Sequence, residues 1–181
     1  MDVLVSLLYC QKGLCAYTEI LIARENRCSP ILFNKKGRYL KRDEELGFSA
    51  QLDHFDSDLK DKKGWDGDNF FAVSDKINII KSDKPVDNIL KPDLPDYDPY
   101  KLLAYDEQEH IFYVNPDIEN ENMIQRIQYM IKVLGLNYGT IKDMRTEYLN
   151  EKMELVELGI EKEAYQFVTA FEMIKEKICK R

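Results

Sequence analysis

The sequence predicts an α+β protein, and three observations predict it. A strand, a polar loop, a second strand and a helix follow one another between residues 50 and 85, helical periodicity opens the chain, and three apolar stripes at helical spacing fill its last third. At 181 residues the chain is long enough to bury a core of useful size, and its length fits one domain with a helical appendage.

Val3, Leu4, Leu7 and Leu8 recur at helical spacing, and Gly13 is placed to stop that helix. Residues 14–50 are punctuated by Pro30, Gly37 and Gly47 and read as irregular, with one short apolar run at Ile31, Leu32 and Phe33. Residues 51–55 read as a short strand that contains Asp53 and His54. Residues 57–68 are polar, with Gly64 and Gly67, and read as a loop; residues 69–73 have strand character. Ser74 or Asp75 then caps a short helix carrying Asn78 and Lys81. Residues 92–99 hold three prolines and exclude regular structure. Residues 102–105 and 110–114 flank an acidic turn and predict a hairpin. Three helices follow. The first opens with Asn115 as cap and Pro116 at its first position, and presents Ile124, Ile127, Ile131 and Leu134 before Gly135. The second spans residues 140–158 with Ile141, Met144 and Tyr148 inward. The third spans 161–179 with Ala164, Phe167, Val168, Phe171, Ile174 and Ile178 as its stripe. These stripes are core or partner-facing surface.

Composition narrows the function classes. The formal net charge of −7 argues against non-specific nucleic-acid binding by the chain alone, which draws on clustered Lys and Arg. Two local basic stretches exist: Lys35, Lys36, Arg38, Lys41 and Arg42, read as a solvated face, and Lys76, Lys81 and Lys84 around Asn78. Cys10, Cys15, Cys28 and Cys179 form no Cys-x-x-Cys pair, which suits reduced thiols in a cytoplasmic protein. No apolar run approaches the roughly 18 residues of a membrane helix, and the N-terminus lacks the basic flank of a secretory signal. The acidic run Asp56, Asp58, Asp61, Asp66 and Asp68 lacks the Gly and Glu positions of an EF-hand loop and reads as a solvated loop. Trp65 reads as an anchor of that loop, and His110 as a strand-surface residue.

The chemistry-bearing inventory centres on Asp53-His54, Asn69 and Asn78. His54, one of two histidines, can take a proton from water near neutral pH. The Asp53 carboxylate and the Asn78 amide oxygen are suited to holding a hard divalent cation against phosphate oxygens, and a second amide at Asn69 can fix the imidazole. That set suits hydrolysis of a phosphodiester.

At these residues the chain resembles the HNH, or ββα-metal, endonucleases. Leu52-Asp53-His54-Phe55, Asp68-Asn69 and the segment 74–83 are similar to the HNH domain of the RNA-guided CRISPR nucleases. The wider layout looks like the stand-alone HNH proteins of anti-phage systems of the Septu and retron-associated type. The matching elements are Cys15-Ala16-Tyr17-Thr18-Glu19, His54-Phe55, Asn69, Ser74-x-x-Ile77-Asn78-x-x-Lys81, then Asp98-Pro99-Tyr100 and Leu134-Gly135-Leu136-Asn137 with Arg145 beyond. The resemblance covers about residues 10–146. It implies a ββα-metal core at about 50–85 within a nuclease domain of residues 1–115, with a helical region of residues 116–181 packed on it. It also implies that His54 is the general base, that Asn69 orients the His54 ring, and that Asp53 and Asn78 hold one Mg²⁺ or Mn²⁺. Lys81 and Lys84 become contacts to nucleic acid, and Glu19 supports the site from behind.

Relatives of this kind carry two Cys-x-x-Cys pairs on a structural zinc. Here Thr18, Ser74 and Ile77 stand at three of those positions, and one thiolate, Cys15, builds no tetrahedral site. The expectation is therefore no structural zinc, with packing around Ile77 and Tyr17 in its place. The functional expectation is a metal-dependent endonuclease acting on DNA as the effector of a bacterial defence system. Its DNA affinity would come from a partner such as an ATPase subunit or a homodimer. The alternative is an inactive HNH-like scaffold serving as a binding or regulatory subunit.

Overall fold

A computed structural model describes residues 2–41, 49–63, 66–160 and 163–179. Arg42, Gly47, Gly64, Trp65 and residues 161–162 lie outside these, and so does the expectation for Trp65. The fold is mixed α and β, with two separate two-stranded antiparallel sheets. The chain divides into two compact units, Met1–Pro85 and Val86–Arg181. Among the described residues, no helix is long and apolar enough to cross a membrane.

In the first unit, α1 (Asp2–Cys10) buries Val5 and Leu8 in a cluster with Ala23, Cys28, Tyr39 and Ala72. Gly13 ends the turn after it at φ +78°; a Cβ there would lie 1.8 Å from the carbonyl oxygen of Ala23, so only glycine fits. A one-turn helix, α2 (Glu25–Cys28), follows. Strand β1 (Ala50–His54) leads into an Asp56-capped turn and the short α3 (Lys60–Lys63), so the stretch expected to be all loop contains a helical turn. Strand β2 (Phe70–Ser74) pairs antiparallel with β1, setting Asp53 opposite Phe71 and His54 opposite Phe70. Every residue of β2 is buried, because Ala72 sits in the α1 cluster while Phe71 packs with Tyr17 and Phe55. The Ser74 side chain caps α4 (Asp75–Lys81) by accepting from the Ile77 amide, and α4 packs on both strands.

In the second unit, α5 (Pro99–Leu102) is capped by Asp98, and β3 (Leu103–Asp106) pairs with β4 (Ile111–Val114). This hairpin, expected to belong with the first 115 residues, contacts α6 and α8 of its own unit. Helix α6 (Glu121–Val133) starts at Asn120, whose side chain accepts from Met123, and not at Asn115. Asn115 instead caps a local turn by accepting from the Asp117 amide. Helix α7 (Gly139–Glu157) buries Ile141, Arg145, Tyr148, Leu149 and Lys152, while Met144 is 40% exposed, contrary to its expected inward position. The buried stripe carries two cations, which charge patterning alone assigns to solvent. Helix α8 (Val168–Cys179) begins later than expected, after Phe167 at φ +49°.

Candidate functional site

The β1–β2–α4 succession brings some of the expected residues together and separates others. Asp53 is buried, and both carboxylate oxygens are engaged. Oδ2 accepts from the Tyr17 hydroxyl at 2.5 Å, and Oδ1 accepts from the Lys81 ammonium at 3.1 Å. Lys81 also donates to the backbone carbonyl of His54 at 2.9 Å and is 1% exposed. Lys81 is thus an internal counter-ion, not the surface phosphate contact expected of it. Burial pushes the Asp53 carboxyl above its ordinary range, against the lowering effect of the Tyr17 hydrogen bond and of Lys81. Desolvation outweighing the ion pair is the usual balance for a buried pair of this kind.

Asn78 occupies the same face of α4 as Lys81, three residues earlier, and its Nδ2 donates to Gln51 Oε1 at 2.5 Å. Gln51 and Asp53 share a face of β1, so Asn78 and Lys81 read two positions on one strand face. The Asn78 Oδ1 accepts no hydrogen bond from the described residues.

His54 is half-buried, with its ring 4.3 Å from that of Phe70, its cross-strand partner, at an interplanar angle of 49°. Among the described residues no side chain hydrogen-bonds the imidazole. Asn69, expected to orient that ring, does something else. Its Oδ1 accepts from the Asp56 amide at 2.9 Å and its Nδ2 donates to the Asp56 carbonyl at 3.0 Å. The carbonyl of Asn69 accepts from Phe55. Asn69, buried at the start of β2, therefore clips the backbone just after His54 and fixes where β1 ends. Among the described residues neither amide atom bonds the His54 ring, and both are engaged by the Asp56 backbone.

Cys15, Thr18, Ser74 and Ile77 are all buried. The Ser74 amide donates to Cys15 Sγ at 3.5 Å, and Ala16 donates to the Ala72 carbonyl, tying the turn at residues 15–20 to β2. Gln11 completes that edge by bonding both the amide and the carbonyl of Ala72. The Thr18 hydroxyl is buried with no hydrogen-bond partner among the described residues. Glu19 sits in the same turn at φ +57°. Lys84 is exposed and donates to the Ile80 carbonyl, while Lys76 is exposed beside Asn78.

Sequence reasoning missed Gln51 and Gln11, and it expected packing from Tyr17 without its hydrogen bond to Asp53. A glutamine outside a charged motif carries no mark of its partner. His110, expected on a strand surface, is buried in the β3–β4 turn at φ +52°; its Nδ1 lies 3.0 Å from the Tyr105 hydroxyl, and its carbonyl accepts from Arg145.

Among the described residues no three His, Cys, Asp or Glu side chains gather as a metal-binding group. The donors on offer are the Asp53 carboxylate and the Asn78 oxygen, both of the hard type that Mg²⁺ or Mn²⁺ accepts alongside water and substrate phosphate. A cation already sits on Asp53, the ammonium of Lys81, and it stands in for the charge such an ion would bring. No protein-family model matches this chain, and no curated protein matches it either.

Proposed function

We propose that this protein is a metal-dependent phosphodiester hydrolase of the HNH type acting on DNA. The observation that carries the reading is the direct run of hairpin into helix, in which Asp53 and the backbone carbonyl of His54 meet Lys81, and Gln51 meets Asn78, along α4. His54 takes the proton from the attacking water, and it is free to do so because no side chain among the described residues occupies its ring nitrogens. Phe70 holds the plane of the imidazole, and the Asn69 clip holds the backbone that carries it. Asp53 and the Asn78 oxygen would hold the cation, which would supply Lewis-acid polarisation of the scissile phosphate. Lys84 and Lys76, exposed on and just beyond α4, contact the backbone phosphates. The acidic balance of the chain leaves most of the DNA affinity to a partner, an ATPase subunit or a second copy.

A second reading is favoured by one observation. Both Asp53 oxygens are already satisfied within the protein, as they would be in a scaffold that keeps the ββα frame and binds or regulates a partner without cutting. A labelled DNA duplex incubated with Mg²⁺ or Mn²⁺ separates the two. The nuclease reading expects cleavage that stops on chelation and leaves 3′-hydroxyl and 5′-phosphate ends. No cleavage with either ion, with the folded chain alone and with its partner present, supports the scaffold.

A further inference from the structure

The Lys81 ammonium occupies a position that differs from every other lysine described. It is 1% exposed, 3.1 Å from Asp53 Oδ1 and 2.9 Å from the carbonyl oxygen of His54. Its two acceptors belong to the two adjacent residues that carry the proposed chemistry. The third described contact of the group runs through Asp53 to Tyr17, so β1, α4 and the turn at residues 15–20 converge on one carboxylate. An ammonium and a hydrated divalent ion compete for the same oxygen because both need its negative charge, and two cations within about 4 Å repel strongly where little water screens them.

We propose that Lys81 is a tethered competitor for the cation position on Asp53: the divalent ion binds only when the ammonium swings off the carboxylate, so Lys81 sets the metal concentration at which the site becomes occupied. This rests on the reading of Asp53 and Asn78 as the metal donors. Lys81 is the last residue of α4, and Ser82 after it takes φ +50°. When it leaves, the His54 carbonyl loses a donor and Asp53 keeps Tyr17. Lys81 is a specificity-determining residue for the ion and takes no part in proton transfer.

The consequence is a gap between intrinsic and apparent metal affinity. If the ammonium holds Asp53 in nine molecules of ten or more, apparent affinity is reduced about tenfold or more. Two measurements on the full chain test this. In the first, Mn²⁺ binding is followed by calorimetry for the native protein, Lys81→Met and Lys81→Gln. The expected result is binding at least about tenfold tighter in the uncharged variants. In the second, which needs no variant, native protein is treated with an acetylating reagent and Lys81 modification is read by mass spectrometry across a Mn²⁺ titration. Lys81 is expected to be protected without metal and to become reactive, by about tenfold or more, over the same Mn²⁺ range that gives the binding isotherm. A clear native isotherm with unchanged Lys81 protection overturns the competitor and leaves the metal reading standing. Equal or weaker binding by folded Lys81 variants does the same. The absence of any native isotherm up to millimolar Mn²⁺ overturns both.

Discussion

Asp53 is where the residue-scale logic concentrates. A buried carboxylate needs a partner, and here one comes from each side: a hydroxyl from the turn at residues 15–20 and an ammonium from α4. The resemblance places a zinc clasp between these same regions in relatives, and this chain has Cys15 as the one cysteine of that set. The Tyr17–Asp53–Lys81 bridge, with the Cys15–Ser74 contact beside it, joins these regions here. Asn69 was legible in the sequence as a residue that matters, but not in its role, because a carboxamide next to a histidine in a motif says nothing about which neighbour it bonds. The structure assigns it the backbone of Asp56. Asn69→Ala therefore strips partners from a part-buried amide and carbonyl, and is expected to cost about 1–3 kcal/mol in a urea titration. An unchanged unfolding midpoint would show that the clip contributes nothing.

Among the elements, the hairpin and α4 were legible because short strand-like runs bounded by a polar loop and the Ser74 cap reinforce one another. The start of α6 was misread because Asn115-Pro116 resembles a helix opening, whereas the side chain that reaches an N3 amide is that of Asn120. Helix α7 was misread on one side for a different reason. Arg145 lies under the β3–β4 hairpin with its guanidinium donating to the carbonyls of Leu136 and His110 and packed 5.0 Å from the Phe112 ring centre. A guanidinium whose terminal nitrogens bond carbonyls and whose plane lies near aromatic rings can be buried, and no hydropathy pattern anticipates it. Asn137 holds the amide and carbonyl of Phe112 in the same place. Arg145→Met leaves two carbonyls without this donor and is expected to destabilise the second unit by on the order of 2–5 kcal/mol. A loss under about 1 kcal/mol by calorimetry would contradict the role given to it.

For the whole molecule, acidity bears on stability as well as on partners. Burial, and then the charge of Arg145, hold the His110 imidazole below its ordinary pKa of 6.5. Protonation therefore favours the unfolded chain, so the contribution of neutral His110 is complete above about pH 6.5 and is lost as pH falls through the depressed folded value. Thermal midpoints of the native chain should fall between pH 7 and pH 5, and those of His110→Asn, which tolerates the left-handed backbone, should fall less. Parallel curves would exclude His110 as the source. The division into two units was not legible, because the hairpin at residues 103–114 adjoins the nuclease-like segment in sequence yet contacts the C-terminal helices.

The most direct measurement is the rate of supercoiled plasmid nicking by the native chain and His54→Ala, side by side in Mn²⁺. A general base at His54 predicts a native rate about 10²–10⁴-fold above that of the variant, with both proteins equally folded. Equal rates in the two, or no nicking by either with any partner added, would contradict it.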